Sequence, residues 1–183
     1  MGGSSREKSP RSKLLPLAVP WCIDPLRAAF SMVTGEYPDD QPTELGLYAY
    51  ALSEARQGPF QLQLIRVTFQ QAVAARMEPF EPEDMLMFEP QPSVEEGTDG
   101  FQVGVAELQR ILGQWRRTGI CAESGFYEVA RSRWMRELGV DEDEVRHYFT
   151  FGRRMRVDVL ACGWDWHVEQ TIPEAPPPYW PTG

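Results

Sequence analysis

From Phe149 to Glu169 apolar and polar residues alternate, and a period of two is the signature of a strand with one buried face. Phe149 and Phe151 begin the pattern. Met155, Val157 and Val159 follow, opposed by Arg154, Arg156 and Asp158, and then Trp164, Trp166 and Val168, opposed by Asp165, His167 and Glu169. Gly152 and Gly163 stand where turns are needed, so the alternation predicts a three-stranded antiparallel meander. Upstream the period becomes helical. Val105, Leu108, Ile111, Leu112 and Trp115 share one helical face, and Phe126, Val129, Ala130, Trp134 and Leu138 share another that stops at Gly139. Together these predict a helical hairpin.

Nearer the start, Asp24-Pro25 reads as an N-cap followed by a first-turn proline, with Leu26, Ala29, Phe30 and Val33 at helical spacing and Gly35 as stop. This predicts a helix over 24–34. Thr43 caps a second, with a stripe of Leu45, Tyr48, Ala49, Leu52 and Ala55 ended by Gly58-Pro59. The run 60–77 fits both periods and is read as a strand passing into a helix. No internal repeat is present. The expected fold class is α+β: a helical N-terminal part and a helical hairpin, followed by the meander, with disordered termini.

At 183 residues and 42% apolar, the chain suits one compact domain with a sizeable core. Residues 1–20 read as a basic disordered arm, in which Arg6, Lys8, Arg11 and Lys13 outweigh Glu7 for a local net charge of +3. Residues 21–170 form the domain, and 171–183 a proline-rich docking tail. Inside the domain, 78–100 reads as an acidic loop, because eight acids and four prolines between Glu78 and Asp99 resist regular structure. Met85, Leu86, Met87 and Phe88 within it are expected to dock on the core.

The net charge of −9 argues against generic binding of polyanions. No run of about 20 apolar residues exists to span a membrane, and no signal-peptide segment is seen, so a cytosolic chain is expected. Cys22, Cys121 and Cys162 are odd in number and far apart, which predicts reduced core thiols. Of the two histidines, His167 shares a polar strand face with Asp165, and no serine or cysteine nucleophile can be assigned to His147 or His167. Gly100 to Gly104 lacks phosphate-loop spacing. No catalytic residue, metal ligand or cofactor is therefore expected.

Two terminal motifs carry functional content. In Pro176-Pro177-Pro178-Tyr179, successive prolines hold φ near the polyproline II value and Tyr179 adds an anchor of defined shape, which matches the Pro-Pro-x-Tyr ligands of WW domains. At the other end, Met1-Gly2 permits acylation of Gly2, although the sixth position holds Arg6 where Ser or Thr is usual. One acyl chain binds membrane marginally, and the basic residues Arg6, Lys8, Arg11 and Lys13 supply the second signal that stable attachment needs.

This order of parts resembles the layout of viral matrix proteins, the retroviral Gag matrix region above all. The resemblance covers the two ends only. It implies a lipid on Gly2, a virion protein at the inner face of a membrane, and a late-budding motif at Pro176 to Tyr179 that recruits ubiquitin ligases through their WW domains. Two other readings stand beside it. One is a soluble accessory or adaptor protein with a WW-ligand tail. The other is a winged-helix-like nucleic-acid binder, with Arg131, Arg133 and Arg136 on a helix and Arg153, Arg154 and Arg156 at a hairpin, although Glu123, Glu128 and Glu137 and the acids Asp141 to Glu144 nearly cancel that charge.

Overall fold

The computed structural model describes residues 11–23, 29–34, 42–53, 58–89, 105–152 and 154–173. Among these lie ten strands: β1 (Lys13–Pro16), β2 (Trp21–Ile23), β3 (Phe30–Val33), β4 (Thr43–Leu52), β5 (Phe60–Gln70), β6 (Ala74–Pro79), β7 (Phe126–Ala130), β8 (Arg146–Phe151), β9 (Met155–Ala161) and β10 (Gly163–Ile172). Two helices, α1 (Val105–Thr118) and α2 (Arg133–Leu138), and a 3₁₀ turn at Pro82–Met87 accompany them.

The strands form two antiparallel sheets. The first has the order β1-β7-β8-β9-β6 and the second β10-β5-β4-β2, with β3 lying end to end with β2 along the same edge of β4. At one corner β5 bends into β6 and β9 into β10. Both ribbons turn there together, with the Val73 N–H donating to Leu160 O (2.8 Å) and the Cys162 N–H to Gln70 O (3.0 Å). Gln71 takes up the bend with φ +48°, an unusual value for a residue with a Cβ. At the opposite corner β1 leads through Leu17–Pro20 into β2. That seam is held by Leu17 N–H to Phe126 O (2.9 Å), Cys121 N–H to Val19 O (2.8 Å) and Ile23 N–H to Ser124 O (2.8 Å). The pairing circuit thus closes as a flattened barrel: β1/β2, β4, β5/β6, β9/β10, β8, β7 and back to β1.

Strand alternation fills the interior with Trp21, Leu45, Leu47, Ile65, Val67, Phe69, Phe126, Val157 and Val159, all buried. Trp21 is fully enclosed and packs on Phe126 (centroids 5.8 Å) and Trp166 (6.2 Å). Both sheets are also covered outside. On the second, α1 lays Leu112 and Trp115 over Tyr50, Phe60 and Leu62. On the first, the 3₁₀ turn brings Phe88 onto Leu14, Tyr127 and Phe149, and α2 brings Met135 onto Val145 and Leu160.

The α+β expectation is overturned: the fold is mostly β. The helix predicted from Thr43 is β4, whose residues are buried on both faces because α1 covers the outer one, so its near-continuous apolar run mimics a helical stripe. The helix predicted over 24–34 ends in β3, and its residues 24–28 lie outside the described set. The run 60–77 is strand on both sides of its bend. Of the helical hairpin, α1 stands, but Phe126–Ala130 is β7, and only α2 remains helical, closed by Gly139 in the left-handed region (φ +66°). The three C-terminal strands form where the alternation placed them. They are not a meander, because β10 pairs β5 in the other sheet. Lys13–Pro16 of the expected disordered arm is strand β1. In the acidic loop Phe88 and Met85 do dock, whereas Leu86 and Met87 are exposed.

Candidate functional site

The densest polar cluster among the described residues lies on the outer face of the first sheet. Residues of even number on β6 and β9 share that face: Arg76 opposes Asp158, and Glu78 opposes Arg156. His147 comes from β8 beside them, and Ser132 from the N-cap of α2. Ser132 Oγ lies 2.8 Å from His147 Nδ1, and His147 Nε2 lies 2.8 Å from Asp158 Oδ1. Ser132 Oγ also accepts the Met135 N–H at 3.2 Å, as an N-cap does. One tautomer satisfies every group: the serine hydroxyl donates to Nδ1, and Nε2–H donates to the Asp158 carboxylate.

Around this chain the charges are layered. Asp158 Oδ2 accepts from Arg76 Nε at 3.3 Å and lies 3.5 Å from Arg156 Nε. Arg156 reaches Glu78 (2.5 Å) and Asp84 (3.6 Å), and the Arg76 guanidinium sits 4.2 Å over the Trp134 ring. Burial works against the Arg156 charge. The hydrogen bond to Glu78 and the nearby carboxylates of Asp158, Glu78 and Asp84 outweigh it and hold that guanidinium above its ordinary pKa.

Serine, histidine and aspartate in sequence are the parts of a hydrolytic relay, but their placement serves another end. Ser132, His147 and Asp158 are 1%, 4% and 3% exposed, and the serine oxygen is occupied by Met135 N–H and His147. No face of that oxygen is open to an incoming carbonyl. The network ties α2, β8, β9 and β6 into one unit. Sequence reasoning missed it because its members lie far apart along the chain; the even-numbered Arg156 and Asp158 were visible as the polar side of a strand, and Ser132 one residue before Arg133 was the unread cap signal.

A second feature lies on the inner face of the other sheet. Pro20, Trp21, Ala51, Gln63, Trp166 and Val168 line an open cleft of about 310 Å³, beside the strand that leads to the C-terminal tail. On the outer face of that sheet Arg66 bridges Glu44 (3.1 Å) and Glu169 (2.6 Å). The hydrogen bond that Arg66 donates to Glu169 is the main cause of its raised pKa.

Of the residues singled out in the sequence, Gly2, Arg6, Lys8 and Pro176, Pro177, Pro178 and Tyr179 lie outside the described set. Arg11 and Lys13 are exposed at the entry to β1. His167 and Asp165 face solvent on β10, as expected. Cys121 is buried and Cys22 half-buried, but Cys162 is exposed at the corner and is no core thiol. Of the arginines of the winged-helix reading, Arg153 lies outside the described set, and among the described residues Arg131 pairs with Glu89, Arg133 with Glu137, and Arg156 with Glu78, from a strand end, a short helix and a sheet face. Among the described residues no group of His, Cys, Asp or Glu is placed to hold a metal, and no helix is long and apolar enough to cross a membrane. Comparison with protein-family models, with curated proteins and with solved structures finds no match.

Proposed function

We propose that this chain is a docking protein whose β-barrel body presents a WW-domain ligand, Pro176-Pro177-Pro178-Tyr179, at its C-terminal end. The observation that carries this is the tetrapeptide itself, separated by three residues from the end of the edge strand β10. β10 pairs with β5 through Ile172, and Pro173 comes next, with no backbone N–H to continue a ladder. A segment of this composition is pre-set for polyproline II recognition, so a WW groove gains its contacts at small ordering cost.

In its fuller form the reading is that of a matrix-type protein. Gly2 carries an acyl chain, Arg6, Lys8, Arg11 and Lys13 face an anionic membrane at about 1 kcal/mol each, and the tail recruits WW-bearing ubiquitin ligases at a budding site. What supports it in the fold is that the two ends join different sheets. The arm enters at β1, the edge of the first sheet, whereas the tail leaves from β10, the edge of the second. The body then links a membrane to a ligase.

The test uses wild type, Gly2→Ala and Tyr179→Ala expressed in eukaryotic cells. Wild type should float with membranes and capture WW domains; Gly2→Ala should lose flotation alone, and Tyr179→Ala capture alone. Undiminished capture by Tyr179→Ala sinks the docking function. Flotation that survives Gly2→Ala removes the lipid from the account, and a wild type that does not float leaves a soluble adaptor with the same tail.

A further inference from the structure

The seam that closes the barrel is its most lightly bonded one. Between β1 and β2 on one side and residues 121–126 on the other, a single bridge, Val19 with Cys121, and a few separate hydrogen bonds replace a continuous ladder. Ser124, fully buried, reinforces it by donating from Oγ toward Leu17 O and Phe126 O (both 3.0 Å). Two thiols meet at this seam. Cys22, on β2 and half-buried, packs against the cluster that contains buried Cys121 beneath α1. Its Sγ lies 3.2 Å from the carbonyl of Glu123, two residues beyond Cys121.

We propose that Cys22 and Cys121 are an oxidisable pair, and that a disulfide between them locks the barrel seam. Both side chains belong to the apolar cluster under α1, and the Val19–Cys121 bridge and the Ile23 N–H to Ser124 O bond hold their two segments side by side. The neighbouring Cys22 thiol is the largest influence on Cys121 and holds it below the ordinary value, with burial pushing the other way. A lowered thiol pKa favours the thiolate, the reacting form.

The chemistry requires a two-electron oxidant, for which a hydroperoxide serves. Cys22, the more accessible thiol, attacks the peroxide; its S–H proton is released, the O–O bond breaks, and a sulfenic acid and one water (or alcohol) result. The Cys121 thiolate then attacks the Cys22 sulfur. The S–O bond breaks, hydroxide leaves and takes a proton to become water, and the disulfide is formed. Two thiols have lost two hydrogens and two electrons, and the peroxide has gained them. Cys162, exposed at the far corner, has no part in the step and is replaced by serine in the test.

The experiment treats the full-length Cys162→Ser protein with hydrogen peroxide under native conditions, followed by alkylation and peptide mapping. The expected result is a cross-linked peptide containing Cys22 and Cys121, an intact mass lower by two hydrogens, and full reversal by a thiol reductant. Hydrogen exchange should slow at 17–23 and 121–126 in the oxidised form relative to the reduced one, a comparison that needs no substitution in the seam. Recovery of both cysteines as alkylated monothiols, or of Cys22 as sulfinic or sulfonic acid with Cys121 free, overturns the proposal.

Discussion

Asp158→Ala is the most demanding test of how this body is held together. The carboxylate is 3% exposed and receives His147 Nε2 at 2.8 Å and Arg76 Nε at 3.3 Å, with Arg156 Nε at 3.5 Å. Removing one partner of a buried ionic group costs about 3–5 kcal/mol, mostly because the remaining charges lose their counterion. Here Arg76 is 32% exposed and Arg156 keeps Glu78 and Asp84, so the lower end applies, about 3 kcal/mol. For a domain of this size that lowers Tm by roughly 6–12 °C. Urea unfolding of wild type, Asp158→Ala and Asp158→Asn at pH 7 measures it. The asparagine variant still offers His147 an acceptor and should fall between the other two. A loss below about 0.5 kcal/mol for Asp158→Ala, typical of a surface change, would refute the view that this network braces the first sheet.

Other consequences follow from the same geometry. Ser132→Ala removes the α2 cap and the partner of His147 Nδ1, and should cost about 1–3 kcal/mol by the same assay. Trp21→Ala empties the centre of the aromatic core and should cost about 3–5 kcal/mol, or abolish cooperative unfolding. Gly125→Ala should cost more than Gly139→Ala: both have positive φ, but a Cβ at 125 meets Ile23 Cβ at 3.1 Å whereas that at 139 meets open space, where about 1 kcal/mol is expected. Tyr148 is raised above its ordinary value, first by burial and then by Glu128. A raised phenol contributes stability that is whole below the unfolded pKa and is lost as pH climbs toward the folded one, so unfolding free energy should drop from about pH 10 upward, and Tyr148→Phe should flatten that slope.

How much of this was legible in the sequence depends on how each strand is buried. β10 shows one face to solvent, and its alternation of Trp164, Trp166 and Val168 with Asp165, His167 and Glu169 was readable at sight. β4 shows neither face: Leu45, Leu47 and Ala49 point to the barrel interior while Tyr48, Tyr50 and Leu52 sit under α1 or beside it, and no period survives. β7 was disguised differently. Its Phe126 and Val129 happen to be spaced like a helical stripe that continues into α2, and the break between them is Arg131 in a left-handed conformation (φ +57°), which no residue type announces there. The sheet crossing at Cys162 was also hidden, because a tight turn at Gly163 is equally compatible with a hairpin; only the pairing of β10 with β5 distinguishes the two. The buried Ser132–His147–Asp158 network has the same character. Each member is an ordinary polar residue until the fold brings three separate elements together.

The central claim is that the tail is a WW ligand, and a direct titration tests it. A purified WW domain of the Pro-Pro-x-Tyr-binding class is titrated with the intact chain, with Tyr179→Ala and with Pro177→Ala, and heat or fluorescence is followed. Saturable one-to-one binding by the intact chain, weakened at least tenfold in Tyr179→Ala, is the predicted outcome, a difference of about 1.4 kcal/mol or more. Equal affinity for the intact chain and Tyr179→Ala, or binding by neither, contradicts it.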